Sequence, residues 1–340
     1  MSRVFERLDE LYAIGSGPGA DRLHASPEED EGHALVTTWL EAAGLRVEVD
    51  AASNLVGRAG RHSEIWVGSH LDSVPQGGRF DGALGVVAAI EAVERAGAGS
   101  VVAFRGEEVG CIGSRARCGA GGELPRAFLE LHVEQGPVLA DAGAPLGVVT
   151  GIVGYARGEL LLEGRAGHAG TTPMAGRDDA LVAAAREILR VRDTAFGIEG
   201  AVATVGRAEV EPGGANVIPS RVRLSLDVRA PDAERLDALI AEIGFEPEYR
   251  VEPVAFAGEV PAALRAEIAS RGLEAVELFS GAGHDAGILA AAGVESGMLF
   301  VRSLNDGISH SPDELSSPED VELAVDVLTG VLSRLVASPP

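Results

Sequence analysis

The chain has 340 residues, of which 46% are hydrophobic, and its formal net charge is −24 at pH 7. This length favours two domains, and the hydrophobic fraction excludes a disordered chain. The acidic charge argues against nucleic acids and anionic membranes as partners, because few cations are available to build a basic patch. No apolar run reaches the roughly 18 residues that would indicate a membrane-spanning helix.

The beginning of the chain predicts two helices. Residues 3–14 and 27–44 are amphipathic, and the second segment opens at Ser26-Pro27 with acidic residues in its first turn. Residues 3–14 lack the basic-then-apolar layout of a secretion signal, so we expect a cytoplasmic location. In that compartment the two cysteines of the sequence, Cys111 and Cys118, are expected to be reduced.

Four strands and one helix are predicted next. The strands are 45–50, 54–59, 64–71 and 100–106, and the helix is 84–96. Alternation of strands and helices predicts a mostly parallel sheet that is covered by helices on both faces.

The following segment has a different pattern. Strands are predicted at 155–166, 200–210, 220–230 and 249–256, and helices at 178–192 and 231–244. The order β-α-β-β-α-β is that of a ferredoxin-like module. After this module the α/β pattern returns and ends in a long helix. We therefore predict an α/β domain of residues 1–154 and 258–340, with an inserted α+β domain at 155–257.

Histidines and acidic residues follow several of the predicted strands in Gly-rich surroundings. They are His70, Asp72, Asp81, Glu107, Glu108, His132 and His310. Four stretches that lie far apart in the sequence each supply one to three of these side chains. This distribution indicates a fold that gathers ligands around a pair of metal ions.

The first three of these side chains also have simpler interpretations. His70 and Asp72 point the same way at a strand end, so Asp72 can accept the imidazole N–H and fix the tautomer of the ligand. The pair can equally form an ordinary turn. Asp81 can bridge two metals with its two oxygens, or it can cap the helix that follows.

The remaining four also leave alternatives open. One carboxylate of Glu107-Glu108 can bind metal while the other, with a pKa raised by the like charge, takes a proton from water. Both can instead face solvent. His132 is either a ligand or a core histidine, and His310 is either a ligand or a solvent-facing side chain.

Seven stretches together resemble the hydantoinase/carbamoylase amidases. They are GSHLDSVPQGGRFDGALGV, ELHVEQGPVL, GRAGHAGTTPM, GGANVIPS, LDVRAPD, SGAGHDA and GISHSPDE, in order from residue 68 to residue 314. This family is a branch of the dinuclear-metal aminoacylase and carboxypeptidase clan. Its members include N-carbamoyl-L-amino acid hydrolases, allantoate amidohydrolases and β-ureidopropionases, and the resemblance covers nearly the whole chain.

The resemblance implies two divalent ions per subunit. One would be held by His70, Asp81 and His132, and the other by Asp81, Glu108 and His310. Zn²⁺ is the first expectation for these nitrogen and oxygen ligands, and Mn²⁺, Co²⁺ or Ni²⁺ could occupy the same set. A bridging water would be held as hydroxide, with Glu107 as general base and then as the acid that protonates the leaving amine.

The resemblance also assigns residues to the substrate. His168 resembles the histidine that polarises the scissile carbonyl, usually across a dimer interface, and Asn216 resembles a carbonyl-binding amide. Arg229 resembles the arginine that grips a substrate carboxylate, and Gln135 the residue that contacts the ureido group. A turn or surface position is the alternative for the first three.

A helix start in SGAGHDA offers a further contact. Backbone groups of Gly281 and Ala282 are expected to face the substrate carboxylate. The side-chain role of His284 stays open, with a capping or supporting role favoured over direct ligation.

The family then predicts the activity. We expect a homodimer, joined through a lid and dimerisation domain at 155–257, that hydrolyses a small N-carbamoyl amino acid to the amino acid, CO₂ and ammonia. Allantoate is an alternative substrate; an aminoacylase or dipeptidase and a catalytically silent binding protein are further alternatives. The dipeptidase is disfavoured because those enzymes have a carboxylate ligand where His132 stands.

Two departures from the family pattern affect the pocket. Val109-Gly110-Cys111-Ile112 stands where the family has Gly-Ser-Arg-Phe, and only three residues separate Gly119 from Glu123 where the family has several tens. Both departures leave the predicted ligands intact, so they bear on substrate size and class.

Overall fold

The structure is a computed structural model that describes residues 2–15, 17–121 and 123–337. Its contacts divide the chain into two units, Met1–Gly151 with Phe256–Pro340, and Ile152–Ala255. The predicted domain ends at residues 1 and 340, and Gly122 of the short segment before Glu123, lie outside the described residues.

The secondary structure follows the predicted α/β and α+β segments. The helices are α1 (Arg3–Tyr12), α2 (Pro27–Ala42), α3 (Ala83–Ala96), α4 (Ile112–Gly119), α5 (Val138–Asp141), α6 (Ala180–Phe196), α7 (Ala233–Ile243), α8 (Glu259–Ser270), α9 (Asp285–Ala291) and α10 (Pro318–Ala337). The strands are β1 (Arg46–Val49), β2 (Leu55–Arg58), β3 (Ile65–His70), β4 (Ser100–Phe104), β5 (Ala127–Val133), β6 (Leu146–Ile152), β7 (Gly154–Glu163), β8 (Gly167–His168), β9 (Val202–Glu211), β10 (Val217–Ile218), β11 (Arg221–Ala230), β12 (Pro247–Val251), β13 (Val254–Ala255), β14 (Val276–Ser280) and β15 (Glu295–Val301).

The sheet of the first unit runs in the order β1-β2-β4-β3-β5-β15-β6, with β14 also paired to β6. Its central strands β4, β3, β5 and β15 are parallel, whereas the pairs β1–β2, β2–β4 and β15–β6 are antiparallel. The prediction of a mostly parallel sheet is confirmed for this centre. Every residue of β3, β4 and β5 is buried, which explains their nearly continuous apolar sequences.

Helices α3 and α10 supply much of the apolar core against this sheet. All residues of α3 from Ala83 to Val93 are buried, and α10 adds Val321, Val325, Leu328 and Leu332. Each fully buried Val or Leu side chain stabilises the fold by about 1.5–3 kcal/mol. This packing holds the parallel strands in register, so that their carboxyl ends meet at one edge of the sheet, where ligands bind in open α/β folds.

The second unit is an antiparallel sheet in the order β12-β7-β11-β9, with helices α6 and α7 packed on it. Strand β11 alternates exposed and buried side chains, as its period-two sequence predicts. β8 and β10 form a separate two-stranded ribbon. The prediction of a single strand at 249–256 is wrong. The segment is divided into β12 and β13, because Pro253 between them has no N–H to donate to a neighbouring strand.

Candidate metal centre

The predicted ligands of the first unit converge at the carboxyl edge of the parallel strands. His70 is the last residue of β3, His132 lies near the end of β5, and Glu107 and Glu108 follow β4. Asp81 precedes α3, and His310 lies on the loop after β15. Residues far apart in sequence therefore meet because parallel neighbours end at the same edge.

The carboxylate of Asp81 lies between two groups of ligands. Its Oδ1 is 3.1 Å from His132 Nε2 and 3.6 Å from His70 Nε2. Its Oδ2 is 3.3 Å from His310 Nε2, which in turn is 3.4 Å from Glu108 Oε2. Two sets of possible metal ligands result, His70–Asp81–His132 and Asp81–Glu108–His310, and within each set the ligand atoms lie within 4.8 Å of one another.

The two buried histidines have the tautomer that a metal ligand needs. His70 Nδ1 is 3.0 Å from the carbonyl oxygen of Asp72, and His132 Nδ1 is 2.9 Å from that of Val133. Because a carbonyl only accepts, each Nδ1 carries the proton and each Nε2 of a neutral ring presents a lone pair. Among the described residues neither Nε2 has a hydrogen-bond partner. Two buried lone pairs that face one carboxylate fit a cation between them.

The charges of the centre raise the pKa of His70 and lower that of Asp81, so both shifts favour the charged forms. Burial alone would lower the pKa of His70, but Glu107, Asp72 and Asp81 raise it well above its ordinary value. Burial opposes ionisation of Asp81, yet the nearby histidines His132, His310 and His70 hold its pKa well below the usual range. The arrangement keeps Asp81 ionised and stabilises positive charge among the histidines.

The carboxylate of Asp72 contacts the glutamate loop as well as His70. The carboxylate of Asp72 accepts the backbone N–H groups of Glu107 and Glu108, each at 3.1 Å. Its Oδ1 is 3.4 Å from His70 Nδ1, whereas its own carbonyl is closer to that nitrogen. Asp72 thus orients His70 mainly through its backbone and holds the glutamate loop with its side chain.

Glu107 and Glu108 lie in different surroundings. Glu107 is buried, with Oε1 at 3.6 Å from His284 Nδ1 and Oε2 at 3.8 Å from His70 Nε2. Burial, opposed by His70 and reinforced by Asp285, raises the pKa of Glu107 well above its ordinary value. Burial and then Asp81 raise the pKa of Glu108 to about 7. A carboxyl group with a raised pKa can both accept and return a proton near neutral pH.

Gly82 is required where Asp81 turns into α3. Its φ is +63°, and a Cβ built there would lie 2.4 Å from Cε1 of His70. Only glycine allows the chain to pass this close to a ligand ring without displacing it.

Gln135 contacts the shared carboxylate rather than open solvent. Its Nε2 donates to Asp81 Oδ2 at 3.0 Å and to the Ser309 hydroxyl at 3.2 Å. Its φ of +60° is uncommon for a residue with a side chain and is typical of strained positions at functional sites.

Glu314 is a residue of the centre that the sequence analysis did not identify. It is buried, and its carboxylate accepts the N–H groups of Phe80 and Asp81 and the hydroxyl of Ser309. The one indication in the sequence was its position four residues after His310. An acidic residue at such a position in a polar loop is usually interpreted as exposed.

His284 is neutral and fully buried beside the ligands. Its ring centroid is 4.5 Å from that of His132, and its Nε2 is 2.8 Å from Ser280 Oγ. Burial lowers the pKa of His284 well below its ordinary value. Ser280 Oγ also accepts the N–H of Ala282, so the turn with Gly281 and Ala282 is tied to this histidine.

In the second unit, His168 and Asn216 are neighbours on the β8–β10 ribbon. The N–H of Ala169 donates to the carbonyl of Asn216 at 2.9 Å, and His168 is paired with Val217. Both His168 and Asn216 are exposed. His168 Nδ1 accepts the N–H groups of Gly170 and Thr171, so the proton of the neutral ring lies on Nε2, which can donate to a ligand.

Arg229 lies near the end of β11, away from the β8–β10 ribbon. It is paired with Tyr155 on β7, and its guanidinium donates to both carboxylate oxygens of Asp227, at 2.8 Å and 3.3 Å. Strand β11 begins at Arg221, next to the β8–β10 ribbon, so eight residues at about 3.3 Å each separate the two ends by about 26 Å. One copy of this unit cannot direct both ends at one small molecule.

Comparison with known proteins gives a consistent result. The model of peptidase family M20/M25/M40 matches residues 66–334. The N-carbamoyl-L-amino acid amidohydrolase of Geobacillus stearothermophilus is 38% identical over 395 aligned positions, which cover 96% of each chain. The allantoate amidohydrolase of Bacillus subtilis is 32% identical, covering 95% of this chain and 94% of its own.

A solved structure of the same kind has a very similar fold. The hydantoinase/carbamoylase family amidase of Burkholderia multivorans superposes with a TM-score of 0.92 at 31% identity, covering 99% of this chain and 98% of its own. Among the helices of the described residues, none is long and apolar enough to cross a membrane.

Proposed function

Because the chain belongs to peptidase family M20/M25/M40 and, within it, to the hydantoinase/carbamoylase amidases, we propose that it hydrolyses N-carbamoyl-L-amino acids. It is a hydrolase of C–N bonds other than peptide bonds. The observation that carries the proposal is the carboxylate of Asp81, whose two oxygens face two separate sets of ligands. The name of the relative with 38% identity supports the carbamoyl substrate.

Two divalent ions would be held by His70, Asp81 and His132, and by Asp81, Glu108 and His310. Zn²⁺ suits this set of nitrogen and oxygen donors, and Mn²⁺, Co²⁺ or Ni²⁺ are alternatives. Such ions polarise a carbonyl oxygen and lower the pKa of water.

Glu107 would move the protons of the reaction. Water adds to the ureido carbonyl carbon while the Glu107 carboxylate takes one of its protons. A C–N bond then breaks, and the leaving nitrogen takes that proton from Glu107. The carbamic acid that results loses CO₂, so that one water gives the amino acid, CO₂ and ammonia. The buried position and raised pKa of Glu107 support this role.

Substrate contacts would come from two copies of the chain. Arg229 would bind the carboxylate of the amino acid, as the guanidinium fork favours. His168 would donate its Nε2–H to the carbonyl oxygen, with Asn216 beside it. The separation of about 26 Å between the two ends of β11 supports contribution of His168 and Asn216 by a second copy. Gln135, Gly281 and Ala282 would complete the pocket.

The second unit offers a surface for this pairing. Strand β9 is an edge strand of ten residues and is largely exposed, and α6 exposes Leu189 and Phe196. A long exposed edge is a template for pairing with another strand. We infer a homodimer that joins this face to its equivalent.

A panel of substrates tests the proposal directly. The purified protein, loaded with Zn²⁺ or Mn²⁺, is assayed for ammonia release from N-carbamoyl amino acids and allantoate, and for release of free amino acid from N-acetyl amino acids and dipeptides. We expect chelator-sensitive hydrolysis of the carbamoyl compounds. Hydrolysis of allantoate alone would favour the function named for the Bacillus subtilis relative, and absence of any ureide hydrolysis would refute the proposal.

A further inference from the structure

Glu314 joins two loops that lie 234 residues apart in the sequence. Its Oε2 accepts the N–H of Phe80 at 2.7 Å and that of Asp81 at 3.0 Å, and its Oε1 accepts the Ser309 hydroxyl at 2.7 Å. The side chain is buried, so these three donors replace the water that an ionised carboxylate requires.

The two joined loops carry Asp81 and His310, and Gln135 closes the connection. Gln135 Nε2 donates to Asp81 Oδ2 at 3.0 Å and to Ser309 Oγ at 3.2 Å. The backbone of Asp81 is thus held by Glu314 and its side chain by Gln135. Ser309, next to His310, connects these two residues, because its hydroxyl donates to Glu314 and accepts from Gln135.

Gly78 lies directly against the carboxylate of Glu314. A Cβ built on Gly78 would lie 2.1 Å from Glu314 Oε2 and 2.3 Å from its Cδ. The loop that ends at Asp81 therefore passes directly against the carboxylate, and its path depends on a glycine at this point.

The two sets of ligands differ in how much they depend on this connection. His70 and His132 lie on buried strands, and their Nδ1 atoms are fixed by backbone carbonyls. The side chain of His310 is 50% exposed, lies on a loop, and has a φ of +54°. Its position relative to Asp81 has to come from the loop contacts, of which Glu314 makes three.

We propose that Glu314 is a positioning residue that fixes Asp81 against the His310 loop and thereby sets the affinity of the Asp81–Glu108–His310 set for its ion. This inference rests on the proposed two-ion function. The His70–Asp81–His132 set keeps its ion without Glu314, because its histidines are held by strands. Loss of a residue that supports metal ligands typically lowers metal affinity by about 10–100-fold.

The test is a metal titration of purified variants without substrate. Co²⁺ binding is followed by visible absorption, and bound ions are counted by mass spectrometry after gel filtration. For Glu314→Ala we expect one tightly bound ion and an affinity for the second that is about 10–100-fold weaker than in the wild type. Glu314→Gln should keep two ions, because its amide oxygen accepts both N–H groups and its nitrogen donates to Ser309 Oγ.

A second variant disturbs the contact between Glu314 and the Asp81 loop without removing the carboxylate. Gly78→Ala pushes Glu314 away, so it should weaken the second ion as Glu314→Ala does. Gly119→Ala is the matched glycine control, because no atom of the described residues lies within 4 Å of a new Cβ there. Asp50→Ala is the matched acid control, because Asp50 also accepts three donors, from Ala52 and Asn54, in a loop without metal ligands.

The outcomes separate this inference from the proposed function. The inference is overturned if folded Glu314→Ala or Gly78→Ala binds two ions with wild-type affinity. It is also overturned if Asp50→Ala loses an ion to the same extent, or if the wild type binds a single ion. A wild type that binds two ions but hydrolyses no ureide would refute the proposed function and leave the role of Glu314 standing.

Discussion

Glu107 and Glu108 are adjacent in the chain but face different partners. Glu107 faces His70 and His284, and Glu108 lies 3.4 Å from His310. The backbone N–H groups of both donate to the carboxylate of Asp72, and the loop presents one glutamate carboxylate to each side. This arrangement allows one acid to bind an ion while its neighbour exchanges protons.

Replacement of the two glutamates should therefore separate chemistry from metal binding. Glu107→Gln keeps its shape but cannot take a proton, so we expect kcat to fall by about 10²- to 10⁴-fold with two ions still bound. Glu108→Gln, the matched control, should lose one ion as well as activity. Activity assays and metal counting on the same samples distinguish the two. Loss of an ion from Glu107→Gln would contradict the proton-transfer role.

His33 is a second residue whose surroundings shift its pKa, and this shift has a measurable effect on the free energy of unfolding. It lies on α2, is 5% exposed, and among the described residues neither ring nitrogen has a hydrogen-bond partner. Burial, together with Arg105, lowers its pKa to about 3. The folded chain therefore keeps this ring neutral at a pH where an unfolded chain protonates it.

The sign of the pH dependence follows from that difference. Below about pH 6.5 the unfolded state binds a proton that the folded state refuses, so stability falls as pH decreases toward 3. Between pH 7.5 and pH 5 this histidine should cost about 2 kcal/mol of unfolding free energy. Urea denaturation of the wild type and His33→Leu at both pH values measures it. An equal loss in both proteins would show that His33 is not responsible.

At the scale of elements, the sequence predicted the strand that ends at His70 and the strand that precedes Glu107. Long apolar runs before His70 and Glu107 indicated buried parallel strands, and their ends indicated one common edge. Strand β6 and helices α4 and α5 were not predicted, because short segments rich in Gly and Ala have no clear period. The contacts of Glu314 and Gln135 could not be predicted either, since loop conformations decide which donors a buried carboxylate meets.

Helix α3 allows a controlled test of the requirement for glycine at position 82. Gly82 precedes it and Gly97 follows it, and both have a φ of +63°. Alanine at either position is strained to a similar degree, costing about 1 kcal/mol. At Gly82 the new Cβ meets the His70 ring, whereas at Gly97 no atom from the described part of the chain lies within 4 Å.

We therefore expect Gly82→Ala to lose metal and activity, and Gly97→Ala to lose only a little stability. Metal counting and thermal unfolding of the two variants measure both effects. Full metal content in Gly82→Ala would mean that the loop before α3 adapts without moving His70.

At the scale of the whole molecule, the proposed site requires two copies of the chain. If His168 acts across a dimer interface, His168→Ala and Glu107→Gln chains are each inactive alone but complement each other. In a mixed dimer, one of the two sites then has an intact Glu107 and an intact His168. After equal mixing and subunit exchange, random pairing makes about half of the dimers mixed, and each mixed dimer has one intact site of two. We therefore expect roughly a quarter of the wild-type activity.

The measurement needs proof that the dimers have mixed. Differently tagged chains are co-purified and assayed against each parent alone. Activity no higher than that of the parents in verified mixed dimers would show that His168 serves its own subunit, or none.

The order of the strands also has a consequence for biosynthesis. The pairs β3–β4 and β3–β5, with α3 between, involve only residues up to Val133. His70, Asp81 and His132 are therefore all present once β5 has left the ribosome. His310 follows only after the second unit and β15 have been translated. We expect a nascent chain to acquire its first ion early and its second ion only near the end of its synthesis.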